Sequence, residues 1–275
     1  MPPWEILSPI IIVSWATFMI VLERLFPYKE QKLFREGFFT DFFWYTLVQS
    51  YFLGLVIKWL AIDVIDRYSG ISRLHLISSW PVWLQLGVLF VVHDFYIYWF
   101  HRLQHTNRWF WRIHEAHHSV RNVDWLAGSR SHALEIMINQ TIEYAPFLLL
   151  GASPDLWLIK GVIDATWGMY IHSNIDVRSG WLQKVINGPE MHRWHHAGNV
   201  EKGGFNFGTK LAIWDWMFGT AYLPKEKVPS YGLAFGIVFP EGFFAYFIHH
   251  VWTFRPWEPH LRKPHKRELE AAAAE

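Results

Sequence analysis

Five apolar runs divide the chain, at residues 6–22, 42–65, 82–100, 133–150 and 156–171. Runs of this length with few charges predict helices that cross a bilayer, which takes about 20 apolar residues. The last two runs are near the lower limit and carry charges, so they predict shorter or incomplete spans. Gly151-Ala-Ser-Pro154 breaks the chain between them and reads as the tip of a hairpin. Residues 232–252 are apolar but interrupted by Pro240, Glu241 and Gly242, a pattern suited to an interfacial segment or a cover over a site. Residues 262–275 are charged and Ala-rich, as in a frayed helix or flexible tail. The expected fold is all-α: a single membrane domain over 1–275, an integral bundle of about four to five spans.

The polar positions orient the bundle. Arg24, Lys29, Lys32 and Arg35 all follow the first run and none precedes it. A secretory signal has the opposite order, so this run reads as an uncleaved span with its C-terminal end in the cytoplasm. Counting spans forward returns the segment after residue 100 to the same side. That segment holds Arg102, Arg108, Arg112, Arg121 and Arg130, as the positive-inside rule requires.

Composition narrows the chemistry. The 275 residues are 52% hydrophobic, with 18 Trp, 22 Phe and 11 Tyr, and the net charge is only +1, giving no general pull toward nucleic acid. Without a single Cys, thiolate-bound zinc, iron–sulfur clusters, Cys catalysis and disulfides are excluded. Imidazole, carboxylate and water remain as metal ligands.

Imidazole is abundant and patterned. His101 and His105 close the third run; His114, His117 and His118 follow; His192, His195 and His196 repeat the second spacing. On a helix, residues at i, i+3 and i+4 share one face, so each cluster can aim two or three imidazoles at one point. Eight aimed histidines are too many for one ion and point to two metals, in a helical cap on the cytoplasmic face. Pro189 suits the first turn of a helix carrying the last cluster. His172, where the fifth run emerges at the same depth, is a ninth candidate ligand. His132, at the start of the fourth, is a tenth, with a supporting or interfacial role as its alternative. Asp94 lies within about 20° of His101 and His105 on the helical wheel and is placed to accept an imidazole N–H.

His114-Glu-Ala-His-His118 also fits the H-E-x-x-H zinc-protease pattern, with Glu115 as base. That reading needs only one further ligand and leaves the 101/105 and 192/195/196 clusters without a role. A non-catalytic metal-binding or transport protein is the other alternative. It is disfavoured because the histidines gather at one face instead of lining a path across the spans. Two irons, by contrast, can bind and split O₂ between them, and neutral imidazoles leave positions open for it.

Several segments resemble the fatty acid hydroxylase/sterol desaturase superfamily of integral membrane, non-haem diiron enzymes. They are Asp94-Phe-Tyr-Ile-Tyr-Trp-Phe-His101-Arg-Leu-Gln-His105, Trp111-Arg-Ile-His114-Glu-Ala-His117-His118-Ser119, His172-Ser-Asn174, Pro189-Glu-Met-His192-Arg-Trp-His195-His196, Asn206-Phe-Gly and Trp214-Asp-Trp-Met-Phe-Gly-Thr220. The resemblance covers residues 91–223, which become the expected catalytic region. It implies that the clustered histidines and His172 bind two iron ions, with Asn174 and Asp215 as supporting residues. The family usually has a histidine near Arg130-x-His132, commonly followed by Pro; here Ala133 follows. The resemblance further implies O₂-dependent hydroxylation or desaturation of a membrane lipid (sterol-like, fatty acyl or ether lipid). Electrons would come from a separate donor, a cytochrome b5-like protein or a ferredoxin with its reductase. No haem- or nucleotide-binding segment is visible in the chain itself.

Overall fold

In the computed structural model, residues 3–153, 155–198, 204–233 and 239–255 are described. Pro154 of the expected hairpin tip, residues 234–238 of the interrupted apolar segment and the 262–275 tail lie outside them. The described residues are helical, with only isolated β-bridges, such as Pro27 with Ile175 and Ile186 with Leu211. The helices are α1 (Trp4–Leu25), α2 (Thr40–Ser69), α3 (Val82–Thr106), α4 (Arg108–His118), α5 (Ala133–Leu149), α6 (Asp155–His172), α7 (Pro189–His195), α8 (Ile213–Met217) and α9 (Ala245–Trp252).

Three of these, α1, α2 and α3, are long and apolar enough to cross a membrane. They present Ile6, Ile10, Val13 and Phe18 of α1, Phe52, Leu55 and Val56 of α2, and Val91 and Val92 of α3 outward, the inverse of a soluble protein's surface. The fourth and fifth runs form α5 and α6. The 17 residues of α5 extend about 26 Å, a little short of the hydrocarbon core. α6 carries Asp155, Lys160 and Asp164, which lowers its hydropathy.

Packing brings the ends together. α1 lies along α6, with Trp15 Nε1 donating to Thr166 O at 2.8 Å. Met19, Trp125, Leu126 and Ile175 form a core beneath the histidine-bearing end. Ile77, Leu89, Phe147 and Leu156 form another at the far end. Glu23, buried near the end of α1, accepts the backbone N–H groups of Trp125 (2.7 Å) and Asn174 (2.8 Å). One carboxylate thereby joins α1 to the segments after α4 and α6.

Candidate metal centre

α3 runs straight into His101 and His105 and stops at Asn107, whose extended backbone breaks the helix. The Asn107 side chain then accepts the N–H groups of Trp109 and Phe110, capping α4. α4 therefore turns back across the end of α3 and brings His114, His117 and His118 against His101 and His105. α7 starts with Pro189 in its first turn, as the sequence predicts, and delivers His192, His195 and His196. His172 is the last residue of α6.

Nine histidines meet in two adjoining groups. His101, His105, His114, His118 and His195 each place a ring nitrogen within 4.8 Å of the others, and so do His117, His172, His192 and His196. The groups touch: the rings of His118 and His196 are 4.6 Å apart, and those of His117 and His114 are 5.1 Å apart. The two H-x-x-H-H clusters are interleaved. The i,i+4 pair His114/His118 belongs to the five-imidazole group, while His117 between them points to the other. In α7 the pair His192/His196 belongs to the four-imidazole group and His195 crosses to the first. At 100° per residue, i and i+4 are about 40° apart whereas i+3 falls on the other side, so one spacing serves two centres.

Hydrogen bonds aim the rings. Nδ1 of His101 donates to Phe207 O (2.8 Å), that of His195 to Phe205 O (2.8 Å), that of His117 to Arg130 O (3.1 Å) and that of His172 to Gly168 O (2.8 Å). Nδ1 of His114 donates to the buried carboxylate of Glu135 at 2.8 Å. Carbonyl and carboxylate oxygens only accept, so each Nε2 is left with a lone pair facing the group's centre. There the Nε2 atoms crowd: His101 and His114 at 3.0 Å, His192 and His172 at 2.8 Å, His196 and His192 at 3.1 Å. Nε2 of His195 is buried without a hydrogen-bond partner. Converging lone pairs repel unless a cation lies among them, and the donor set suits a transition metal. Burial pushes the imidazoles of His114, His117, His118, His192, His195 and His196 well below their ordinary range, and their neighbours add to the effect. Burial thus favours the neutral imidazole, the form that metal ligation requires.

Four other expected residues sit elsewhere. His132 is in neither group: its Nδ1 caps α5 by accepting Leu134 N–H at 3.1 Å, and its ring stacks on His250 at 4.4 Å. The cap and the stack hold it outside both groups. Asp94 does not accept from a histidine. Its carboxylate takes the Thr209 hydroxyl, the Lys210 and Leu211 N–H groups and the Trp214 indole N–H, all within 3.1 Å. Sharing a face with His101 set its direction, but a loop with three donors and Trp214 of α8 fill the space. Asp215 accepts Phe207 N–H and Gly208 N–H at 2.8 Å, fixing the turn whose Phe207 carbonyl holds His101. Asn174 clasps the Lys29 backbone through both amide atoms and touches no histidine. Glu115 is gripped by both Nη atoms of Arg255 at 2.5 and 3.0 Å, outside both histidine groups, which leaves it unsuited to act as a base there.

Glu135 and the orienting carbonyls were not anticipated. Glu135 could have been suspected as a carboxylate opening an apolar run. The carbonyls have no sequence signal, because every residue has one. Asn206 gives a partial hint: it adopts a left-handed backbone (φ 55°), which Asn tolerates better than most residues, between the two carbonyls that hold His195 and His101.

The fold and site thus define a helical membrane protein with two adjoining groups of largely buried imidazoles at one end of its bundle. The fatty acid hydroxylase family model matches residues 86–220, which include all nine histidines of the two groups. The chain is 28% identical over 223 residues to an ornithine lipid hydroxylase of Rhizobium tropici, covering 79% of this chain and 67% of that one. It is 33% identical over 162 residues to the alkylglycerol monooxygenase of Homo sapiens, covering 58% of this chain and 36% of that one. A very-long-chain aldehyde decarbonylase of Oryza sativa subsp. indica is 26% identical over 168 residues, covering 56% of this chain and 58% of that one. No solved structure matches. Over residues 86–220 the chain is thus similar to the fatty acid hydroxylase/sterol desaturase superfamily.

Proposed function

We propose that the chain is an O₂-dependent diiron lipid hydroxylase or desaturase acting on an unactivated C–H bond of a membrane lipid. The observation that carries this reading is the pair of adjoining groups of five and four converging imidazoles, all buried except the half-buried His105. His101, His105, His114, His118 and His195 would hold one iron, and His117, His172, His192 and His196 the other. Two irons bound there would supply the redox chemistry that splits O₂ and oxidises a C–H bond. The chain's own share is to fix the tautomers of His101, His114, His117, His172 and His195 through Nδ1 and to bury the centre.

In hydroxylation one oxygen atom enters the lipid and the other leaves as water, so two electrons and two protons come from outside. A separate electron donor, cytochrome b5-like or a ferredoxin with its reductase, fits a chain without a haem or nucleotide motif. The basic residues after the first and third spans support a centre on the cytoplasmic face of a multi-pass protein. Ornithine lipids and alkylglycerols, after the relatives' names, are the first substrates to try.

Lipid extracts of cells with and without the protein, compared by mass spectrometry, test the reaction. A gain of one oxygen or loss of two hydrogens on one lipid class is expected. Iron content of the purified protein tests the centre: two irons per chain support it, and a single zinc would overturn it.

A further inference from the structure

The bundle buries a second set of charges, outside both histidine groups. Lys160, in α6, is fully buried. Its ammonium donates to Glu143 of α5, to both carboxylate oxygens of Asp164 at 2.7 Å, and to His93 Nδ1 of α3 at 3.2 Å. His93, Glu143 and Asp164 converge closely enough to hold a cation, and Lys160 already supplies one. Asp164 also takes the ammonium of Lys210 at 2.7 Å. Lys210 belongs to no helix. It lies on the 204–212 loop, and its backbone N–H donates to Asp94 at 3.0 Å. Its carbonyl accepts Asn187 N–H at 2.8 Å, and the Asn187 side chain donates to Gly208 O. One short piece of loop is therefore held to α3 through its backbone and to α6 through its side chain.

Fold stability alone does not account for such a cluster. Ions buried among apolar helices are costly to desolvate, and well-packed hydrophobic replacements are often as stable or more so. The best-attested use of buried ionic groups is to specify one arrangement over its alternatives. What is specified here is the loop: Phe205 O and Phe207 O, three to five residues before Lys210, orient His195 and His101.

We propose that Lys210 and Asp164, backed by Lys160, are positioning residues for the five-imidazole group. They fix the loop so that its two carbonyls set the rings of His101 and His195. The four-imidazole group takes its orienting carbonyls from Arg130 and Gly168, neither of them in this loop. Releasing Lys210 therefore disturbs one group and spares the other. This rests on reading the two groups as metal sites.

The test uses the full chain in lipid nanodiscs, as wild type, Lys210→Met, Lys210→Arg and Asp164→Asn, titrated with ⁵⁷Fe(II). Iron per chain and Mössbauer spectra are recorded. Wild type is expected to bind two irons in two distinguishable environments. Lys210→Met and Asp164→Asn should keep one environment unchanged while the affinity of the other falls about 10–100-fold. Lys210→Arg should restore it, because a guanidinium still donates to Asp164. Wild-type binding in both variants, or equal loss at both sites, overturns the positioning role; equal loss is what a general folding defect would produce. If wild type itself fails to bind two irons, the diiron reading fails instead, independently of the variants.

Discussion

The two histidine groups share a helix spacing and an all-imidazole composition, yet the chain supports them differently. In the four-imidazole group, His172 is oriented by the carbonyl four residues back on its own helix. His117 is oriented by Arg130 O, at a residue whose guanidinium is locked onto Asp41 at 2.7 Å. In the five-imidazole group, His101 and His195 both depend on one irregular loop that Asp94, Asp215 and Lys210 hold in place. A ring held by its own helix is positioned as soon as the helix forms. A ring held by a distant loop is positioned only when the whole bundle has closed. The five-imidazole group is thus the more sensitive to changes outside itself.

Removing a ligand sets the scale for that comparison. His101→Ala and His192→Ala, one from each group, should both reduce lipid turnover by more than the roughly 10–100-fold typical of losing an outer partner. Each should lower iron content while membrane insertion, followed by fractionation, stays intact. Full activity in either variant would sink the metal assignment.

A backbone substitution on each side comes next. A Cβ at Gly128 would lie 2.7 Å from His172 Nδ1, so Gly128→Ala forces the ring or the Ala127–Ser129 turn to move. About 1–3 kcal/mol of lost stability is expected, with iron lost first from the four-imidazole group. Thermal unfolding and iron spectroscopy check both parts. Asn206→Ala places Ala at φ 55° and deletes the side-chain bonds to Met191 O, Tyr222 O and Tyr222 N–H. It should cost about 1–3 kcal/mol and loosen the five-imidazole group. Asn206→Gly, which keeps the backbone conformation but not the bonds, should fall between it and wild type. Equal iron loss from both groups in these variants would erase the distinction between them.

The smallest effect is expected at Glu115→Gln. It weakens the ion pair with Arg255 outside both groups, so turnover should change by no more than a few-fold. A zinc protease using this residue as its base would lose activity altogether, and that result would replace the oxidoreductase mechanism proposed above.

Much of the architecture was legible beforehand because it depends on local periodicity. The five apolar runs became helices α1, α2, α3, α5 and α6, and Pro189 opens α7. The eight clustered histidines, which meet with His172 in the structure, were legible because i, i+3 and i+4 spacing reports a shared face whatever the rest of the fold does. His132 looked like part of the same pattern, but the spacing does not distinguish a ring turned toward the centre from one that caps a helix. Asp94 was located on the correct face and given the wrong partner. A wheel gives a side chain's direction, and says nothing of the loop from 115 residues away that meets it.

By itself the sequence determined the helices and the imidazoles that gather at one end of the bundle, since apolar length and imidazole spacing are properties of neighbouring residues. Only the tertiary structure decided how the histidines are divided between two groups, and which oxygens hold their rings. Those choices depend on contacts between segments as far apart as His101 and Phe207, formed by backbone carbonyls that are chemically alike at every position until the chain is folded.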